Sequence, residues 1–384
     1  MNGEERDRVR TRDRGSMDAG GYEKSLKWRA DFQQRQLTGK IVIRGAEREL
    51  NEAGRQGTSK RYLHIHDFPD TALQDWIIFI HHIKTHSGMH RHQGGLVLFV
   101  LEGQGATEVD GEKVPWEAGD LILLPIKPKG VEHKHFNNDP QKGCRWMAFI
   151  YVPIWDHVAS EMVQLELHPE FAKRVTDQQA YIQAKAENTL GTQFFRGQAD
   201  DQVYDERLGG AKPLRAGGNG GTLMEELFRL RDRQRDLRKK ARWIVKGGDL
   251  PWENNSQGIM KWYMHPVMED IVIQTYLFYM QEIPPGSRSG KQLHQGNQVI
   301  QILEGKGHTV MDGVKHTWEA GDLVQLPLRR DGVIFQHFND HPNQRVRFVA
   351  CEPNLVHTAG VDRGSGFEQL EASPDFGTHY VPEA

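Results

Sequence analysis

The stretch "LEGQGATEVDGEKVPWEAGDLILLP", residues 101–125, returns as "LEGKGHTVMDGVKHTWEAGDLVQLP" at residues 303–327. The offset is 202 (303 − 101), and no gap is needed. It also pairs Ser87-Gly88 with Ser289-Gly290, His135-Phe136-Asn137 with His337-Phe338-Asn339, and Arg145 with Arg347. A match of this length identifies a duplicated unit. Asp110-Gly111 and Asp312-Gly313 are hairpin-turn signals, because a tight two-residue turn needs positive φ. Short apolar runs such as "LVLFVLEG" and "DLILLP", bounded by Gly, Asp and Pro, read as strands. Closely spaced strands with such turns predict a mainly β chain of two small sandwiches or barrels.

The rest of the 384 residues fits around that pair. The spacing of apolar residues predicts helices over 155–188 and 222–246. Between them lies the glycine-rich linker "LGGAKPLRAGGNGGT", residues 208–222. The predicted order is a disordered tail over 1–21 and an arm over 22–60. The first β domain follows over 61–154, then a helical region over 155–250 and the second β domain over 251–384. The basic run 229–242 reads as a solvated helix face.

Composition narrows the function. The formal net charge is −3, which gives no nucleic-acid or anionic-membrane footprint. Two cysteines, Cys144 and Cys351, exclude a disulfide framework and a zinc finger. No apolar stretch approaches a bilayer span, and "MNGEERDRVRTRDRG" lacks the apolar core of a signal peptide. The expectation is a cytoplasmic protein with no membrane partner.

The chemistry is concentrated in "GMHRHQGGLVLFVLEGQG", residues 88–105. His90 and His92 share a parity, so on a strand both point to one face. With His133 from a later strand they can occupy one face of a metal octahedron, and imidazole suits Fe, Ni, Cu and Zn. Adding 202 converts His90, His92, Leu96 and His133 to Gln292, His294, Gln298 and Phe335. The second copy keeps one histidine and is predicted to hold no metal. His64 and His66 form another His-x-His, with no third ligand at motif spacing, and read as strand histidines. Of the adjacent His81 and His82, at most one can enter the pocket.

The paired histidines, followed by Pro128, Gly130, His133 and Asn137, resemble the two signatures of the cupin family. The whole chain resembles a bicupin. That resemblance implies two double-stranded β-helix (jelly-roll) domains joined by a helical segment. Many cupins place a glutamate ligand where this chain has Leu96. Its loss, with "HRHQGGLVLFVLEGQG" and "RWMAFIYVP", is similar to the gentisate dioxygenase group, which includes salicylate and hydroxynaphthoate ring-cleaving enzymes.

The resemblance implies Fe(II), or another divalent metal, held by His90, His92 and His133. It implies His135 as a catalytic histidine near bound O2, and Leu96, Trp146 and His82 as pocket residues. The substrate would be a small hydroxylated aromatic compound: gentisate-like, salicylate-like or hydroquinone-like. A homodimer or homotetramer is expected, with the arm reaching a partner and supplying Arg44 or Arg48 to a substrate carboxylate. Two departures set gentisate itself apart. Ala148 stands where the group has an acidic residue, and "DWIIFIHHIKTH" carries no arginine. The competing readings are a metal-dependent isomerase or lyase that does not use O2, and a non-catalytic small-molecule-binding bicupin.

Overall fold

The computed structural model describes residues 21–139, 141–187 and 222–382. Residues 1–20 of the tail expected over 1–21 and nearly all of the glycine-rich linker lie outside them.

Each repeat folds into a barrel made of one seven-stranded and one five-stranded antiparallel sheet. In the N-terminal barrel the large sheet contains Leu50–Gly54, Gly57–Leu63, Trp76–Ile83, Cys144–Tyr151, Val97–Glu102 and Leu121–Leu123. Its seventh strand, Ile244–Val245, comes from the segment leading into the other repeat. The C-terminal barrel is built in the same way and takes Val42–Ile43 as its seventh strand. The two barrels therefore exchange strands. Asp322 anchors one exchanged segment through Gly45 N–H (3.0 Å) and Arg44 (2.6 Å). Asp120 anchors the other through Gly247 N–H (3.0 Å) and Lys246 (2.7 Å).

Three apolar clusters follow from strand parity. One fills each barrel. The third lies between the large sheets, where Phe99 stacks on Phe278 at 5.8 Å and Phe149 meets the same ring edge-on at 5.3 Å. Both hairpin turns are as the sequence predicts: Asp110 and Gly111 have φ of 50° and 87°, and Asp312 and Gly313 have 48° and 84°.

Several boundaries differ from expectation. The N-terminal barrel starts at Leu50, not 61. The arm over 22–60 is a helix, Tyr22–Thr38, followed by the exchanged strand and the first strands of the barrel. What it reaches is the other barrel of its own chain. The region over 155–250 is not wholly helical. Val163–Glu166 is a strand on the edge of the small sheet, and the helix Leu223–Lys240 ends before the exchanged Ile244–Val245. Apolar spacing over four residues does not separate these cases; a partner strand decides them. The basic run is a solvated face with local ion pairs such as Arg229–Glu226 and Lys239–Asp236. No helix among the described residues is long and apolar enough to cross a membrane.

Candidate metal centre

The strand Met89–His92 pairs on one side with Val131–Asn137, which sets His90 directly opposite His133. On its other side it pairs with Val163–Glu166, so the ligand strand is held along both edges. The ion pair Lys134–Glu166 (2.7 Å) spans all three strands. The turn before His133 places Gly130 at φ 82°, where a β-carbon would also approach the His92 carbonyl oxygen to 3.1 Å.

One potential ligand atom from each of His90, His92 and His133 lies within 4.8 Å of the other two. The ring centroids are 4.2–5.1 Å apart. Burial drives all three toward the neutral form that a metal needs: His92 titrates at about 4 and His133 at about 3. His90 is held well below the usual range by burial and then by the imidazoles of His133 and His92. Orientation is fixed as well. His92 Nδ1 donates to the Gln93 carbonyl (2.6 Å) and His133 Nδ1 to the Val131 carbonyl (3.1 Å). A carbonyl only accepts, so each Nδ1 carries the proton and each Nε2 offers a lone pair. Three neutral imidazoles, two of them buried and oriented by backbone carbonyls, fit a divalent transition metal; His90 is half-buried and its Nδ1 has no hydrogen-bond partner.

The walls of this chamber are aromatic and apolar. Leu96 is buried in the barrel cluster with Leu98, Ala148 and Ile150, so the ligand set has no carboxylate at that position. Trp146 lies between His81 (4.9 Å) and His135 (4.7 Å), and its indole nitrogen is buried without a hydrogen-bond partner. His135 Nδ1 lies 2.8 Å from Thr107 Oγ1, which also accepts from Trp116 Nε1 (2.8 Å). With Thr107 fully buried, its own hydroxyl proton is satisfied by donating to His135 Nδ1. That leaves His135 with an Nε2–H donor. The second barrel repeats the arrangement in His337, Thr309 and Trp318, at 2.7 and 2.9 Å, so it belongs to the fold first.

Three expectations are corrected. His82 does not enter the metal chamber. It lines a cleft of about 660 Å³ between the barrels, with Lys60, Arg145 and Gln301. Its neighbour His81 has the inward parity, 4 % exposed and against Trp146. His64 and His66 sit in the turn after the strand Gly57–Leu63, not on a strand. Arg44 is committed to Asp322 of the other barrel, and the Arg48 guanidinium lies 3.9 Å over the Phe68 ring, so neither serves the chamber.

Sequence reasoning did not single out Trp155. Its ring stands 5.5 Å from that of His92, on the short helix Val152–His157. The motif residue Asn137 has a structural role. Its amide donates to the carbonyls of Lys84, Asp139 and Lys142, and Asn339 caps the corresponding loops in the second barrel.

The cupin domain family model matches twice, at residues 79–150 and 279–350. The chain is a bicupin. Over 280 residues, 67% of each chain, it is 23% identical to a gentisate 1,2-dioxygenase of Aquipseudomonas alcaligenes. A shorter stretch of 66 residues is 41% identical to a gentisate 1,2-dioxygenase of a Ralstonia species, covering 17% of this chain and 18% of that one. The bicupin also shares its fold with a deletion mutant of Bacillus subtilis oxalate decarboxylase. There the TM-score is 0.53 at 11% identity, covering 87% of this chain and 79% of that one.

Proposed function

We propose that this bicupin is a ring-cleaving dioxygenase that acts on a small hydroxylated aromatic compound with Fe(II) at His90, His92 and His133. The observation that carries this reading is the donor set: three neutral imidazoles with Leu96 where a carboxylate would complete the shell. Held by His90, His92 and His133, Fe(II) would keep its full positive charge and would bring an anionic two-oxygen ligand and O2 together. The similarity to gentisate dioxygenases supports the same class.

The chain's own residues do the rest. Trp146, with Phe79 against it at 5.9 Å, and Leu98 belong to the apolar interior of the barrel that carries the three histidines, a surface that excludes water and suits a flat ring. His135 offers its Nε2–H as a fixed donor beside the ligand histidines. The second barrel serves as a structural partner. Assembly as a homodimer or homotetramer is part of the proposal. It is supported by exposed apolar side chains on two helices: Leu26 and Trp28 on one, Leu227 and Leu230 on the other.

Oxygen uptake with a panel of hydroxylated aromatic acids and diols tests the reading. Stoichiometric O2 consumption with loss of the aromatic absorbance is the expected result. Turnover without O2 uptake would replace it with the isomerase or lyase reading. Light scattering tests the assembly, and a monomer at all concentrations would remove that part.

A further inference from the structure

Immediately after the last strand of the N-terminal barrel the chain enters the helix Val152–His157, with Pro153 in its first turn. Trp155 reaches from this helix to the metal site. Its ring is 5.5 Å from His92 at an interplanar angle of 73°, and its indole nitrogen is buried without a hydrogen-bond partner. The segment is tied down beside it, because Ser160 Oγ accepts from Gln93 N–H (3.1 Å), one residue after His92. In the second barrel the equivalent position is the exposed His357, and the ring facing His294 is Phe367 at 4.9 Å. Both barrels carry an aromatic cover, but only the one beside the three histidines offers an unspent N–H.

The cations around this barrel are spent elsewhere. Arg91, Lys127, Lys134 and Arg145 pair with Glu132, Asp110, Glu166 and Glu102. Among the described residues, the buried side chains of this barrel include no lysine or arginine. The indole N–H donors of Trp155 and Trp146 are among the buried unpartnered polar groups near the ligands, with His81 Nε2, His90 Nδ1 and Arg91 Nε, and of these Trp155 is the one on the helix that follows the barrel. A ligand charge away from the metal end would have no counter-charge, and burying it would be costly.

We infer that Trp155 is a substrate-contacting, specificity-determining residue. Its ring bounds the chamber beside His92, and its N–H donates to an oxygen of a flat aromatic ligand whose ionised groups are confined to the metal end. The inference rests on the proposed aromatic-substrate reading.

The test is anaerobic calorimetric titration of the Fe(II)-loaded protein with salicylate, whose two adjacent oxygens can both reach the metal. A second probe is salicylate bearing an extra carboxylate para to its hydroxyl. Trp155→Phe keeps the ring and removes the donor; it should weaken salicylate binding about five- to tenfold, as expected for one lost hydrogen bond. Trp155→Ala should weaken it further. Metal content should be unchanged in both, and the extra carboxylate should cost at least about tenfold in the native protein. The inference is overturned if salicylate does not bind, if Trp155→Phe binds it within about twofold of the native protein, or if the doubly charged probe binds equally well. Loss of metal from Trp155→Phe would also overturn it, since the residue would then act through His92. Trp155-dependent binding without O2 uptake would remove the dioxygenase reading alone. O2 uptake with binding insensitive to Trp155→Phe would remove this inference alone.

Discussion

His294 Nε2 lies 3.0 Å from Glu352 Oε2, and both side chains are buried in the C-terminal barrel. Gly296 N–H donates to His294 Nδ1 (3.0 Å), so the ring proton sits on Nε2, close to the carboxylate but not aligned for a hydrogen bond to it. Gln298 donates to the same carboxylate oxygen (2.9 Å), and the Tyr279 hydroxyl contacts Gln298 Oε1 (3.4 Å). Where the first barrel has His92, Leu96 and Ile150, the second has a buried polar cluster of His294, Gln298 and Glu352. The histidine that survives duplication is in the wrong tautomer to bind a metal, and its partner is a carboxylate.

That cluster is a coupled unit. Glu352→Ile, the residue found in the first barrel, strands the Gln298 amide donor and removes the carboxylate beside His294, and should cost about 2–4 kcal/mol. Adding Gln298→Leu should recover part of this, because the stranded donor is removed as well. Denaturant unfolding of the two single variants and the double variant measures the coupling. Strict additivity would mean that the contacts are incidental.

Metal should bind at about one ion per chain, and only in the first barrel. His90→Ala and His133→Ala should each abolish it, whereas His294→Ala should leave the stoichiometry intact. Elemental analysis of the purified proteins decides. Full occupancy surviving either of the first two substitutions would remove the site.

Leu96→Glu should retain the metal and lose ligand binding. Its counterpart Gln298 contacts the partner of His294, which places this position beside His92. A carboxylate there would lower the ion's effective charge and fill an open position. Anionic aromatic ligands should bind at least about tenfold more weakly. Native-like affinity in this variant would mean that Leu96 faces away from the metal.

Strand exchange makes the two barrels one cooperative unit. Asp322→Ala removes the acceptor for Gly45 N–H, Arg44 and Glu319 N–H. It should cost about 2–4 kcal/mol and speed amide exchange at Val42 and Ile43. Unchanged protection of those two amides would show that side-chain anchoring is dispensable.

Acid should destabilise the fold even without metal. Burial lowers His337 to about 3. Between that value and the unfolded value near 6.5, the unfolded chain binds a proton that the folded chain does not. The stability contributed by neutral His337 is therefore complete above pH 6.5 and is lost as pH falls toward 3, at up to about 1.4 kcal/mol per pH unit. His337→Asn keeps a polar partner for Thr309 and should flatten the decline of Tm between pH 6.5 and 4.5. An unchanged slope would assign the acid sensitivity to other groups.

The amino-acid sequence by itself determined the duplication, the β class, both hairpin turns and the three histidines of the first copy. Each is a local property: a repeat offset, a turn dipeptide, a strand parity, a motif spacing. Other features depend on which strand pairs with which, and no local pattern carries that. In "WIIFIHHI" the alternation allows either His81 or His82 to face inward, and pairing with Cys144–Tyr151 and the packing of both sheets chose His81. Val42–Ile43 and Ile244–Val245 are too short to announce themselves as strands, and exist because each meets an edge of the other barrel. The same constraint separates His92 from His294. Both occupy the same repeat position, yet a carbonyl at Nδ1 frees one Nε2, and a backbone N–H donating to Nδ1 leaves the ring proton on the other. The residue type is written in the chain, but the hydrogen-bond partner that sets its chemistry is supplied only by the folded backbone around it.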